Sequence, residues 1–346
     1  MSSIGLVIAA LMSFANVFME VARKRALFQR ALLPTTFWCH VFDFLVFAVA
    51  FIIRVTTGSE VVIHDGGMLF GIAGLHLTPV TTYIIYLVLD LLLLASANLL
   101  FFLALKLSPL SVCVPLLAFT SVLLIPTGLV VLSELPPPVK LFGVILIVFG
   151  SFIMHRKQAS GGWLAPFKAL ATEKGSRYML LVALLLAVTS PLDKKLVLMS
   201  DIYTQSLLYG LGMCLFFCAL TFIHRETFMP SIRGNLIWIG LAGSLDAGSL
   251  LLQFASYRYI DVVISVSIKR AGIVLSVFLG WLFFRERGIL DRAIAASVMF
   301  VGVLILYVPL STPATLLLSS GTLVSTGLAL YLTRTKQAKQ ACTVRS

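Results

Sequence analysis

Lys269 and Arg270 stand side by side within Val262–Phe284, an otherwise apolar run long enough to cross a bilayer. At the centre of a spanning helix each cation costs about 2.5–3.5 kcal/mol on insertion scales, so the pair needs a counter-ion, water or a ligand. Lys269 lies roughly 10–12 Å in from Val262 at the helical rise, too deep for an easy reach to the nearer interface. Ser265, Lys269, Gly272, Ser276 and Gly280 recur every three to four residues, which lays a small, polar stripe along one face. Arginine offers a planar fork matched to phosphate or carboxylate, and lysine a compact charge. The pair is the first candidate for holding an anionic group; internal pairing with Asp246, Asp261 or Glu20 is the alternative.

Further polar groups fall inside apolar runs. Ser13, Asn16 and Glu20 share one face of the first run, and Thr189, Ser190 and Asp193 share one face of the sixth. Glu20 is followed by Arg23-Lys24 and Asp193 by Lys194-Lys195, so the two helices are crude counterparts. Asn16, Glu20, Ser190, Asp193, Ser265 and Tyr257 join Lys269 and Arg270 as candidate substrate contacts, against the alternative of helix-packing hydrogen bonds or, for Tyr257, an interfacial aromatic. Asp90 and Asn98 in the third run, and Asp246 and Gln253 in the eighth, are also placed within the bilayer. Asp90 and Asp246 are candidates for carrying a coupling proton or for ion pairing. His40 and Asp43, three apart in the second run, are expected to pair with each other, not to hold a metal. The five cysteines show neither a disulfide framework nor metal spacing and read as small packing residues. No Gly-rich phosphate loop ends in Lys-Ser or Lys-Thr, so no cofactor or ATP-driven step is expected.

The elements that must position these groups are spanning helices. Sixty per cent of the 346 residues are hydrophobic and only 12% are charged, with a mean hydropathy of +1.04. A soluble domain carries about 25% charged residues. The composition therefore predicts an all-α, polytopic membrane protein, and the alternation of an outer-membrane barrel is absent. Eleven apolar runs follow one another: Ile4–Ala22, Pro34–Ile53, Val80–Leu105, Pro109–Leu132, Val139–Met154, Tyr178–Leu198, Tyr203–Ile223, Leu236–Ser256, Val262–Phe284, Ile289–Val308 and Thr315–Leu332. Met68–Leu77 is too brief to span and reads as interfacial or re-entrant.

Lys and Arg orient such a chain by staying on the cytoplasmic side. Alternating the runs from an outside N-terminus puts nineteen basic residues on one side, among them Arg23, Lys24, Arg25 and Arg30, and five on the other, Arg54, Lys140, Lys194, Lys195 and Arg258. The expectation is an outside N-terminus and a cytoplasmic C-terminus in the cell membrane, inner or plasma. The net charge of +12 is then a topology signal and an attraction to anionic headgroups, with no nucleic-acid partner implied. No cleavable signal peptide pattern is present, because charges before the first run are missing and the run is too long.

An internal repeat organises the runs. A constant shift of 152 residues lays Glu134 on Glu286, Gly128 on Gly280 and Gly150 on Gly302. A kink region precedes each pair, Ser108-Pro109 and Ile260-Asp261. Halves of five helices each are inverted across the membrane, the plan of alternating-access transporters. The reading divides the chain into a first half at 1–155, a basic amphipathic linker at 156–177, a second half at 178–308, and an extra helix with a basic tail at 309–346. The shift places Lys269 and Arg270 over Leu117 and Ala118, so the cation pair breaks the symmetry.

The paired signatures Ser133-Glu134…Gly150 and Arg285-Glu286…Gly302, within this ten-span core, resemble the EamA branch of the drug/metabolite transporter superfamily. The resemblance covers about residues 1–308 and implies a ten-helix fold with a central substrate cavity. It also implies two cytoplasmic termini, whereas the charge count puts the N-terminus outside and Thr315–Leu332 adds a helix. The Lys-Arg dipeptide in the ninth helix is similar to that of sugar-phosphate and nucleotide-sugar translocators, which implies that Lys269 and Arg270 hold a substrate phosphate. The expected function is non-enzymatic: secondary-active transport of a small organic solute bearing phosphate or carboxylate. An exporter of amino acids or neutral metabolites, with the pair structural, is the alternative. A membrane enzyme acting on lipid-linked phosphates fits less well, since its acids should cluster at one interface. The expected partners are a small-molecule substrate and the bilayer, for a monomer or homodimer.

Overall fold

The computed structural model describes residues 3–28, 30–58, 63–64, 78–108, 116–117, 119–155, 174–229, 233–272, 298, 301–302 and 305. Among them the elements are α1 (Ser3–Ala26), α2 (Leu32–Thr56), α3 (Pro79–Leu107), α4 (Phe119–Leu132), α5 (Pro138–His155), α6 (Lys174–Met199), α7 (Ile202–Ile223), α8 (Leu236–Tyr257) and α9 (Val262–Ala271). The described protein is all-helical, and α1, α2, α3, α7 and α8 are each long and apolar enough to span a bilayer. In α6 the length is present but Asp193, Lys194 and Lys195 interrupt the apolar sequence. That helix begins at Lys174, so residues 174–177 belong to it and not to the expected linker. Met68–Leu77, residues 273–284 of the ninth run, Arg285-Glu286 and Thr315–Leu332 lie outside the described residues, as do 156–173 and most of the tenth run.

Local chemistry fixes where helices start. Thr78 caps α3, its hydroxyl accepting from the Thr81 amide at 3.3 Å, with Pro79 at the first helical position. Asp201 caps α7 by accepting from the amides of Tyr203 and Thr204 at 2.9 and 3.1 Å. In α1 the residues Ile4, Val7, Leu11, Phe14 and Phe18 form an exposed apolar stripe, while Ser13, Asn16, Glu20 and Arg23 are buried. Lipid outside and polar groups inside reverse the usual amphipathic pattern.

Helix contacts come in exchanged pairs. α1 packs on α8 as α6 packs on α3, α1 meets α9 as α6 meets α4, and α2 meets α7 while α4 meets α9. Close approach of α2 and α8 depends on Gly243, where a Cβ would collide with the Cys39 carbonyl and the Phe42 Cβ. The helices alternate in direction. One end gathers the start of α1 at Gly5 against Tyr259, the Arg54–Asp201 ion pair at 3.2 Å, and Lys194 with Glu134. The other end gathers the Asn235 amide on the Ala26 carbonyl at 2.7 Å, Lys24 on the carbonyls of Leu105 and Ser108, and the Trp38 indole on the Phe228 carbonyl at 3.0 Å. It follows that α1 and α6 run in opposite senses.

Candidate functional site

A central cavity of about 90 Å³ opens between the two sets of helices. From α1 it is lined by Asn16, Glu20 and Arg23, from α6 by Ser190 and Asp193, from α8 by Asp246 and Gln253, and from α9 by Lys269 and Arg270. Asn16 and Glu20 of the stripe expected on α1, and Ser190 and Asp193 of that expected on α6, face the same space as the cation pair, whereas Ser13 and Thr189 do not line it. The lining obeys the 152-residue shift, and polarity changes across it. Leu94 answers Asp246, Asn98 answers Leu250, Phe101 answers Gln253, and Leu117 answers Lys269, all eight on the cavity wall. In these four pairs the charges, Asp246 and Lys269, both come from the later member.

Each charge has its own setting. The Arg23 guanidinium is ion-paired with the Asp246 carboxylate and lies over the Phe102 ring at 4.8 Å and the Phe101 ring at 5.5 Å. The Asn16 amide donates to Glu20 Oε1 at 2.8 Å, which leaves Glu20 Oε2 buried without a hydrogen-bond partner. Lys269 Nζ donates to Gln253 Oε1 at 2.7 Å, and Gln253 Nε2 donates to the Tyr257 hydroxyl at 2.6 Å. The Lys269 carbonyl accepts from the Ser13 hydroxyl at 3.2 Å, tying α9 to α1. Arg270 is 7% exposed, and its Nε has no hydrogen-bond partner. Among the described residues, Arg270 forms no ion pair, although Glu20 and Tyr257 are close enough to act on its charge.

Of the acids weighed as partners of the Lys-Arg pair, two are placed elsewhere, and Glu20 stays close enough to act on both cations. Asp246 is engaged by Arg23 and not by Lys269 or Arg270. Asp261 precedes α9 at the far end of the helix. Three sequence candidates lie off the cavity wall. Ser265 is fully buried and its hydroxyl meets that of Ser256 at 2.5 Å, Tyr257 is buried behind Gln253, and Asp90 is buried against α6. The stripe on α9 therefore divides: Ser265 serves helix packing, Lys269 reaches the cavity, Gly272 lets α9 touch Ser13 and Val17 of α1, and Ser276 and Gly280 lie outside the described residues.

His40 and Asp43 pair at 2.5 Å, as their spacing suggests, and Asp246 joins them, all three ligand atoms within 4.8 Å of one another. The set has metal-ligand chemistry. Arg23 already occupies the Asp246 carboxylate, however, and His40 Nδ1 is committed to Asp43, so a metal would compete with a guanidinium. Arg23 is the residue that sequence reasoning missed. In the sequence it reads as a loop charge, because three more basic residues follow in the same stretch. The available signal was spacing: Asn16, Glu20 and Arg23 continue one helical face. Tyr209 of α7, also on the cavity wall, carried no signal of its own.

No curated protein matches the chain. A solved structure described as "Crystal structure of protein" is similar over 87% of this chain and 97% of its own, with a TM-score of 0.61 and 15% identity, a likeness of fold. Residues 173–308 match the EamA-like transporter family. With five apolar helices of spanning length, the chain is an integral multi-pass membrane protein whose second half is similar to the EamA-like transporters.

Proposed function

We propose that the protein is a secondary transporter that moves a small organic anion by alternating access of two inverted five-helix halves. The observation that carries the reading is Arg270, a buried guanidinium on the cavity wall with an unpartnered Nε and no ion pair among the described residues. A buried cation without a counter-ion is costly, and a solute phosphate or carboxylate supplies one. Lys269 stands beside it on the same wall and is held by a neutral amide, so its charge is also uncompensated by direct contact. The exchanged helix contacts and the opposite senses of α1 and α6 support the inverted halves, and the likeness of the dipeptide to sugar-phosphate translocators supports phosphate as a probe.

Glu20 favours a second reading. Its free Oε2 near Arg270 suits a zwitterion, whose ammonium would face Glu20 while its carboxylate faces Arg270. Thermal unfolding of the purified protein in detergent, with inorganic phosphate, succinate or glycine added, tests both. Ligand at about a hundred times its dissociation constant stabilises by about 2.7 kcal/mol. Phosphate or succinate should raise the melting temperature of the native protein and leave Arg270→Ala and Lys269→Ala unmoved. An equal rise in native protein and the double variant removes the anion reading, and a response to glycine alone selects the zwitterion.

A further inference from the structure

A pair of acids at the contact between α3 and α6 is not used by the anion reading. Asp90 on α3 is fully buried, and neither of its carboxyl oxygens has a hydrogen-bond donor. It faces Asp193 on α6 within hydrogen-bonding range. Asp193 is 2% exposed, its Oδ1 also lacks a donor, and it lines the cavity. Two carboxylates in contact, out of water and with no cation between them, favour holding one proton between them.

The neighbouring charges are committed elsewhere. Lys194 of α6 donates to Glu134 at 2.6 Å and to the Ile260 carbonyl at 2.9 Å. Lys195 donates to the Tyr86 hydroxyl at 3.2 Å and sits 4.8 Å from that ring's centre. Lys269 of α9 acts on Asp193 across the cavity but is bonded to Gln253. The remaining titratable groups facing the pair are phenols: Tyr83 of α3, Tyr209 of α7 and Tyr257 of α8. α4, which packs on α6, carries no titratable side chain.

The exchanged contact shows what is missing. Where α1 meets α8, an acid on the third helix of one half is neutralised by Arg23, the last cavity-lining residue of α1. Asp193 is the last cavity-lining residue of α6, and where α6 meets α3 it presents an acid to an acid. A proton is the one counter-charge that fits between two oxygens already in contact.

We infer that Asp90 and Asp193 share one proton and form a proton-binding site that exchanges with the cavity through Asp193. On release, the O–H bond of the pair breaks, the proton passes to cavity water, and the two carboxyls go from one negative charge to two, with Lys269 facing them across the cavity. On uptake the sequence reverses. The site therefore places a group of changeable charge on the solute's wall, facing Lys269.

Infrared spectra of the full-length protein in lipid test this by reading the C=O stretch of a protonated carboxyl. The expected result is a band at neutral pH that Asp90→Asn and Asp193→Asn each lose, that Glu20→Gln keeps, and that shifts on transfer to D2O. If one aspartate variant fails to fold, the other reads the same band. A spectrum unchanged by either aspartate variant shows both acids ionised and overturns the proposal. A band that both variants lose but that does not shift in D2O overturns the exchange with the cavity. The outcome is independent of the solute: a missing band with anion stabilisation intact removes the proton site alone, and the reverse combination removes the anion reading alone.

Discussion

At the scale of single residues, the Arg23–Asp246 pair decides how the cavity's charges are shared. Asp246 was legible as a buried acid able to neutralise Lys269 or Arg270, but its true partner was not, because a contact 223 positions apart leaves no local trace. With Asp246 paired to Arg23, neither Lys269 nor Arg270 forms an ion pair among the described residues. Asp246→Asn should strand a buried guanidinium and destabilise the protein by about 3 kcal/mol, since removing one partner of a buried pair leaves the other uncompensated. Replacing both, Arg23→Met with Asp246→Leu, should recover most of that loss, because two apolar groups need no counter-charge. Denaturant unfolding in detergent measures the cycle. Equal losses in the single and double variants would show that the pair contributes nothing by its charge.

The element whose position matters most is α9, since it presents Lys269 and Arg270 to the cavity. Its start has no side-chain cap of its own, although Asp261 stands at the N-cap position. Glu134, from the turn after α4, substitutes by accepting from the Val262 amide at 3.1 Å while pairing with Lys194 of α6. One carboxylate thus ties three helices together, and its negative charge at a helix start is favourable. The repeat made Glu134 conspicuous in the sequence, but its role was illegible because the amide it caps is 128 residues away. Ser133 before it adopts a positive φ of 56°, which turns the chain sharply enough to aim the side chain at α9. Glu134→Ala should lower stability by about 1–2 kcal/mol, the usual cost of a lost cap. Hydrogen exchange at the Val262 amide should accelerate, and the stabilising effect of an added anion should weaken, while Glu134→Gln, which keeps an acceptor, should retain most of the amide's protection. An unchanged Val262 rate in the alanine variant would remove the capping role.

For the whole molecule, the 152-residue shift reaches beyond the residues that first suggested it. The shift that pairs Glu134 with Glu286 also relates Leu94 to Asp246 and Leu117 to Lys269, all four on the cavity wall. The basic residues among those described bear on a prediction of sidedness. At the end holding the N-terminus, Lys140 donates to the Ile305 carbonyl at 3.3 Å, Lys194 and Lys195 are bonded within the protein, and Arg54 is ion-paired with Asp201. At the opposite end Arg225 and Arg233 are exposed, where anionic headgroups can reach them. Arg23 and Lys24 leave the count of loop charges as well, being held inside, yet the imbalance sharpens because the opposing end loses more of its few. The N-terminal end is therefore predicted to face outward and the other end the cytoplasm. With the five native cysteines replaced, Thr57→Cys and Thr227→Cys place single exposed thiols at opposite ends. A membrane-impermeant maleimide applied to intact cells should label the first at once and the second only after permeabilisation. The reverse pattern would invert the molecule and agree with cytoplasmic termini, while leaving the cavity and its charges in place.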